Sequence, residues 1–126
     1  MTAANTVHDV AHSAATHARE APALYQQFIQ WIGDGTGLPD TILHIHAGMA
    51  VLMIARLVTR RSLGSVVPLS VVIVAEAFNE IMDRLMYGSW RWDDTLGDVA
   101  NTLFWPTAIF VGIRLRPMLD RRRRRY

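Results

Sequence analysis

The sequence predicts an all-α integral membrane protein: a bundle of three transmembrane helices preceded by an N-terminal amphipathic, interfacial helical region. Three observations predict it. The long aliphatic residues concentrate in stretches 41–58, 63–81 and 99–113, each close to the roughly 20 residues that cross a ~30 Å hydrocarbon layer. The stretch "VVPLSVVIVA" offers only Ser70 as a polar outer face, which the competing fold, a soluble four-helix bundle, would need. Finally, the 13 basic residues are all arginine and lie unevenly along the chain. Arg56, Arg60 and Arg61 stand at the first turn between spans, and Arg114, Arg116 and the run 121–125 follow the third. Only Arg19, Arg84 and Arg91 lie elsewhere. The positive-inside bias then sets a multi-pass topology in a bacterial inner membrane, N-terminus outside and C-terminus cytoplasmic.

This gives three regions: an extracytoplasmic helical segment over 1–40, the bundle over 41–116 and a basic cytoplasmic tail over 117–126. "AANTVHDVAHSAATHARE" is alanine-rich and predicts a helix ending before Pro22. His8 and His12, one turn apart, have a spacing that can bind metal, but a solvated face is the simpler reading. "PALYQQFIQWIGDG" opens with proline at a first helical position and sets Leu24, Phe28, Trp31 and Ile32 on one side, with Gln26, Gln27 and Gln30 on the other. Gly33 and Gly35 are expected to end it. Gly48, with Ala47 and Ala55, gives the first span a small-residue face for close packing. Pro68 falls in the first turns of the second span, where it is tolerated. In "MYGSWRWDDTLGD", Gly88 and Gly97 supply turns and Trp90 and Trp92 supply belt anchors. Asp98 is expected at the start of the third helix. Pro106 inside that span frees one backbone carbonyl.

Cysteine is absent, which excludes disulfides and thiolate metal sites. The basic tail reads as a topology and headgroup determinant rather than a nucleic-acid patch. The polar residues inside the spans carry the functional question. Glu76, Asn79, Glu80 and Asp83 follow one another at steps of three and four, which places them in one helical stripe. On the expected topology they share the outer half of the bundle with His44, His46, Asp98 and Asn101. Acids inside a bilayer cost several kcal/mol and need partners or a task. A buried network pairing the helices is the plainest reading. The others are a cation or metal site, a proton-titrating site, and a pocket for a polar headgroup facing Arg84 and Arg91. Ligands for the metal would come from His44, His46, Asp83, Glu76, Glu80 or Asp98. His44 and His46, two residues apart, point to nearly opposite sides, so one at most faces the bundle.

The pattern Glu76-x-x-Asn79, Arg91 and then "DVANTLFW" from Asp98 resembles the VanZ-like family of small membrane proteins over residues 76–112. Glu76, Arg91, Asp98 and Asn101 match, and Asn79 stands where the family usually has glutamine. The chain departs from the family where Phe104, Trp105 and Pro106 replace a glycine-rich stretch. The resemblance implies a compact helical membrane protein, associated in some members with tolerance of glycopeptide antibiotics. Two functions are expected to compete. One is a small protein whose outer-leaflet pocket, lined by Glu76, Asn79, Glu80, Arg91, Asp98 and Asn101, binds a lipid headgroup, a cell-wall precursor or a cation. The other is a non-catalytic accessory subunit on a larger membrane complex. Bound lipid or a divalent cation are the candidate cofactors. Membrane lipid, a protein partner or a second copy of the chain are the candidate partners. With no nucleophile–base pair and no phosphate loop, an enzyme is the weakest class.

Overall fold

The computed structural model describes residues 3–123, with side chains described for Ser13, Thr16 and 19–117. His8, His12 and the arginine run 121–125 therefore lie outside the described side chains. The described residues form four helices and no strand: α1 Ala3–Thr36, α2 Asp40–Thr59, α3 Val66–Tyr87 and α4 Trp92–Arg123. α2 packs against both α3 and α4, α3 also packs against α4, and α1 lies along α3.

The helix boundaries follow local chemistry, and several differ from expectation. α1 does not break at Pro22 but runs through it. A proline removes a single intrahelical N–H, and here its ring is buried, so contact with the bundle offsets the missing bond. Gly33 and Gly35 also stay helical. The stop comes at Gly37, whose φ of +63° is the left-handed conformation that glycine adopts without a Cβ penalty. Its N–H donates to the Gly33 carbonyl at 2.8 Å, closing the last turn. α2 matches the expected first span to within one residue at each end. α3 starts later than the expected 63–81 because the Ser65 hydroxyl caps it, accepting from the Val67 N–H. It continues past Asp83 to Tyr87 and ends at Gly88, φ +74°. α4 begins at Trp92, not near Asp98, with Asp93 and Asp94 in its first turn against the positive end of the helix. Gly97 is thus inside the helix rather than in a turn.

The side chains are arranged the reverse of a water-soluble bundle. Leu52, Ala55, Leu69 and Val72 make a thin apolar core, yet Gln26, Glu76, Glu80 and Thr102 are buried beside them. Outside, α3 alone exposes Val66, Val67, Val71, Ile73, Val74, Phe78, Ile81 and Leu85. An apolar exterior of this extent around buried acids is unusual for a water-facing surface. Two helices, α2 and residues Trp92–Pro117 of α4, are long and apolar enough to cross a membrane. α3 is of similar length, but Glu76, Glu80, Asp83 and Arg84 set it apart in composition.

α2 and α4 meet closely at Gly48. Pro106 has no N–H to offer the carbonyl four residues before it, which is that of Thr102. Gly48 fills the gap from the other helix: a Cβ placed there would stand 2.2 Å from the Thr102 oxygen. The freed carbonyl thus faces a glycine Cα, a contact that carbonyl oxygens accept as a weak hydrogen bond. Gly48 and Ala55, seven residues apart, are both buried along this seam, whereas Ala47 is exposed.

Candidate functional site

The C-terminal ends of α1 and α3 and the N-terminal ends of α2 and α4 converge at one end of the bundle, around an open cleft of about 860 Å³. Its lining includes Asn79, Glu80, Arg91, Asp98 and Asn101, five of the six residues expected to form a pocket. The sixth, Glu76, lies one turn deeper than Glu80 on α3 and is 6% exposed.

Each helix contributes by its register. α3 turns Glu76, Asn79, Glu80 and Asp83 toward its neighbours, as the three- and four-residue steps require. The Tyr25 hydroxyl donates to Asn79 Oδ1 at 2.7 Å, and Gln26 donates from its side-chain amide to Asp83 Oδ1. Tyr25 also meets Phe78 edge to face, ring centroids 5.7 Å apart. Burial, reinforced by Asp83, Glu76 and Glu80, raises the Tyr25 phenol above its ordinary pKa, which keeps it protonated as a donor. α1 therefore seats Tyr25 and Gln26 on α3 and leaves Leu24, Phe28 and Trp31, with Gln27 and Gln30, exposed.

His44 stands at the centre of the polar group. Its Nδ1 lies 3.1 Å from Thr102 Oγ1 and 3.8 Å from Glu76 Oε1. Its Nε2 lies 3.5 Å from Asp98 Oδ1 and 3.8 Å from Asp40 Oδ1. His46 is turned away, exposed, with Nδ1 2.8 Å from the Ile42 carbonyl of its own helix. Asp83 is held by Gln26 instead of joining His44. Of His44, His46, Asp83, Glu76, Glu80 and Asp98, the candidates for metal, the structure brings His44 and Asp98 into a group with metal-ligand spacing, and its third member is Asp40.

The cations sit at the rim. Arg91 pairs with Asp94 and lies over the Tyr87 ring, 4.7 Å from its centroid; Asp94 raises the pKa of the guanidinium above its usual value. Arg84 lies over Trp90 at 5.7 Å, and Trp90 stacks on Trp92 at 5.5 Å. Around the cleft, Asp34, Asp40, Glu80, Asp83, Asp93, Asp94 and Asp98 outnumber these two arginines. Two buried oxygens, Glu76 Oε1 and Glu80 Oε1, have no hydrogen-bond partner among the described residues. Leaving such groups unmade costs about 1–3 kcal/mol each.

No protein-family model, curated protein or solved structure matches the chain. The likeness to the VanZ-like pattern thus rests on Glu76, Arg91, Asp98 and Asn101 alone.

Sequence reasoning passed over three members of the site. Asp40 was legible, since Asp-x-x-x-His puts it one turn before His44 on the same side. Thr102 follows Asp98 by four residues, a step equally visible once Asp98 was singled out. Gln26 was not legible, because the amide side of α1 reads as a water-facing side until its contact with α3 is known.

Proposed function

We propose that the chain is a three-span membrane protein that holds a cationic ligand in a cleft at the outer end of its helices. The observation that carries this reading is the pairing of buried, unpartnered carboxylate oxygens at Glu76 and Glu80 with a cleft rim rich in acids. Evolution of a purely structural network would tend to close such oxygens with donors, because an unmade bond in a low-dielectric interior is expensive. A positively charged ligand supplies what they lack.

Charge placement along the bundle supports the membrane orientation. The cleft end is acidic. At the opposite end, the Arg114 Nε–H donates to the Gly64 carbonyl at 3.1 Å, which ties the foot of α4 to the turn carrying Arg60 and Arg61. Arginines at that end favour the cytoplasmic side and leave the cleft facing out. α3 would be the third span. Its 22 residues give about 33 Å of helix at ~1.5 Å per residue, its apolar side faces lipid, and its acids face the bundle. The outward Leu24, Phe28 and Trp31 of α1 would rest in the outer interface, where aromatic rings are favoured.

The reading is tested by thermal unfolding of the full chain in lipid nanodiscs against Zn²⁺, Ca²⁺, ethanolamine, spermidine and, as the anionic control, inorganic phosphate. At least one cation is expected to raise the midpoint and phosphate to leave it unchanged, with the cation effect lost in Glu80→Gln. Stabilisation by phosphate with none from any cation would overturn the assignment.

A further inference from the structure

The distances around His44 carry the reading further, to the kind of cation. Its Nε2 is 3.5 and 3.8 Å from the two carboxylate oxygens. Both separations exceed the range of a good N–H···O bond, which centres near 2.9 Å. A histidine that served only as an ion-pair partner would close on one of those acids. The observed spacing instead lies at or a few tenths of an ångström beyond the edge of a coordination shell, the Asp98 separation inside it and the Asp40 separation just outside. With ligand bonds of about 2.0–2.2 Å, the corners of a tetrahedron lie about 3.3–3.6 Å apart. The three ligand atoms of Asp40, His44 and Asp98 all fall within 4.8 Å of one another, and a small inward rotation of the exposed Asp40 side chain brings all three within reach of one ion.

The other face of the ring is prepared to match. A neutral histidine can offer Nε2 to a metal only if its proton is held on Nδ1. Thr102 Oγ1, 3.1 Å from Nδ1, is placed to accept that proton's hydrogen bond, and Glu76 Oε1 stands 3.8 Å from the same nitrogen. A hydroxyl and a buried carboxylate beside Nδ1 favour its protonated tautomer and orient the ring, a common support for metal-ligating imidazoles. Behind this, Glu80 lines the same cleft, 6% exposed, with Oε1 lacking a hydrogen-bond partner. It is a buried oxygen on the same cleft, available to a water on the ion. One imidazole with two carboxylates favours a borderline transition-metal ion over Ca²⁺ or Mg²⁺, which prefer six or more oxygens.

We propose that Asp40, His44 and Asp98 form a binding site for a divalent transition-metal ion of the Zn²⁺ class, with Thr102 and Glu76 positioning His44. This rests on the cation-cleft reading and narrows it. Three protein ligands leave a coordination position open to the cleft.

The test is titration of the chelator-stripped full chain in nanodiscs with Zn²⁺, followed by calorimetry, with circular dichroism confirming helicity for each variant. The wild type is expected to take one Zn²⁺ per chain, undisplaced by millimolar Ca²⁺. His44→Ala and Asp98→Asn are expected to lower affinity at least 100-fold, and Thr102→Val, which touches no ion, 10- to 100-fold. His46→Ala should bind as the wild type does. Absence of Zn²⁺ binding, displacement by Ca²⁺, or equal losses in the His46 and His44 variants would overturn the site. Should Zn²⁺ fail while ethanolamine or spermidine still stabilises the chain, only the metal assignment falls. Should no cation bind, the cleft reading falls with it.

Discussion

Gly48→Ala is expected to be the most damaging single methyl in this chain. The added Cβ would stand 2.2 Å from the Thr102 carbonyl oxygen and 3.1 Å from its Cγ2. The first contact is with backbone, which cannot swing aside as a side chain does. Gly64 offers the contrast: its added Cβ would meet Ile113 Cγ2 at 2.7 Å, a side-chain methyl that can rotate away. For Gly48→Ala, α4 must move back from α2 or the helices must separate. Overpacking of this kind costs about 1–3 kcal/mol and more where backbone has to shift. Because Thr102 also holds His44, the same displacement reaches the cleft. The expected result is a lowered unfolding midpoint together with reduced cation binding, measured on one nanodisc preparation. Gly64→Ala should lower the midpoint far less and leave binding intact.

Glu80→Met is expected to move stability and binding in opposite directions. Methionine has nearly the same length and shape, and it removes a buried carboxylate whose Oε1 has no partner. Replacing buried ionisable groups with apolar residues of similar volume is often stabilising by about 1–4 kcal/mol. The ligand-free variant should therefore unfold at a higher temperature than the wild type. If the carboxylate serves a cation, the same variant should lose at least tenfold in cation affinity, by calorimetry with Zn²⁺ or ethanolamine. A gain in stability with unchanged binding would mean that Glu80 faces the cleft without serving a ligand. A loss of stability would mean that the carboxylate closes a network that its unpartnered oxygen does not reveal.

Much of this arrangement was legible in the residue order, for a physical reason. Helical periodicity reports which side chains share a face, so the Glu76–Asn79–Glu80–Asp83 stripe and its company with Asp98 and Asn101 could be read directly. The all-helical class followed from the same regularity. Length and composition single out two helices able to span a membrane; α3, proposed as a third, carries the acids that set its composition apart. Periodicity does not report which neighbour a face meets. That is why Gln26 read as solvent-facing and is buried against α3, and why Asp40, one turn before His44, went unnoticed. Local breakers were weighted too heavily. Pro22, Gly33, Gly35 and Gly97 all stay inside helices: the buried Pro22 ring offsets its one lost hydrogen bond, and a helical glycine costs only about 1 kcal/mol, which long helices absorb.

The proposed placement of the acidic cleft on the outer side of a membrane is what joins the polar stripe, the arginine bias and the ligand reading. The chain has no cysteine, so single-cysteine variants at Ser89, on the cleft, and at Ser62, on the arginine-rich turn, report each end without background. With a membrane-impermeant maleimide applied to the extracytoplasmic face of intact cells, the Ser89→Cys protein is predicted to be labelled. The Ser62→Cys protein is predicted to react only after the membrane is permeabilised. Labelling of the Ser62 position from outside with protection at Ser89, or recovery of both proteins in the soluble fraction without detergent, would contradict the account.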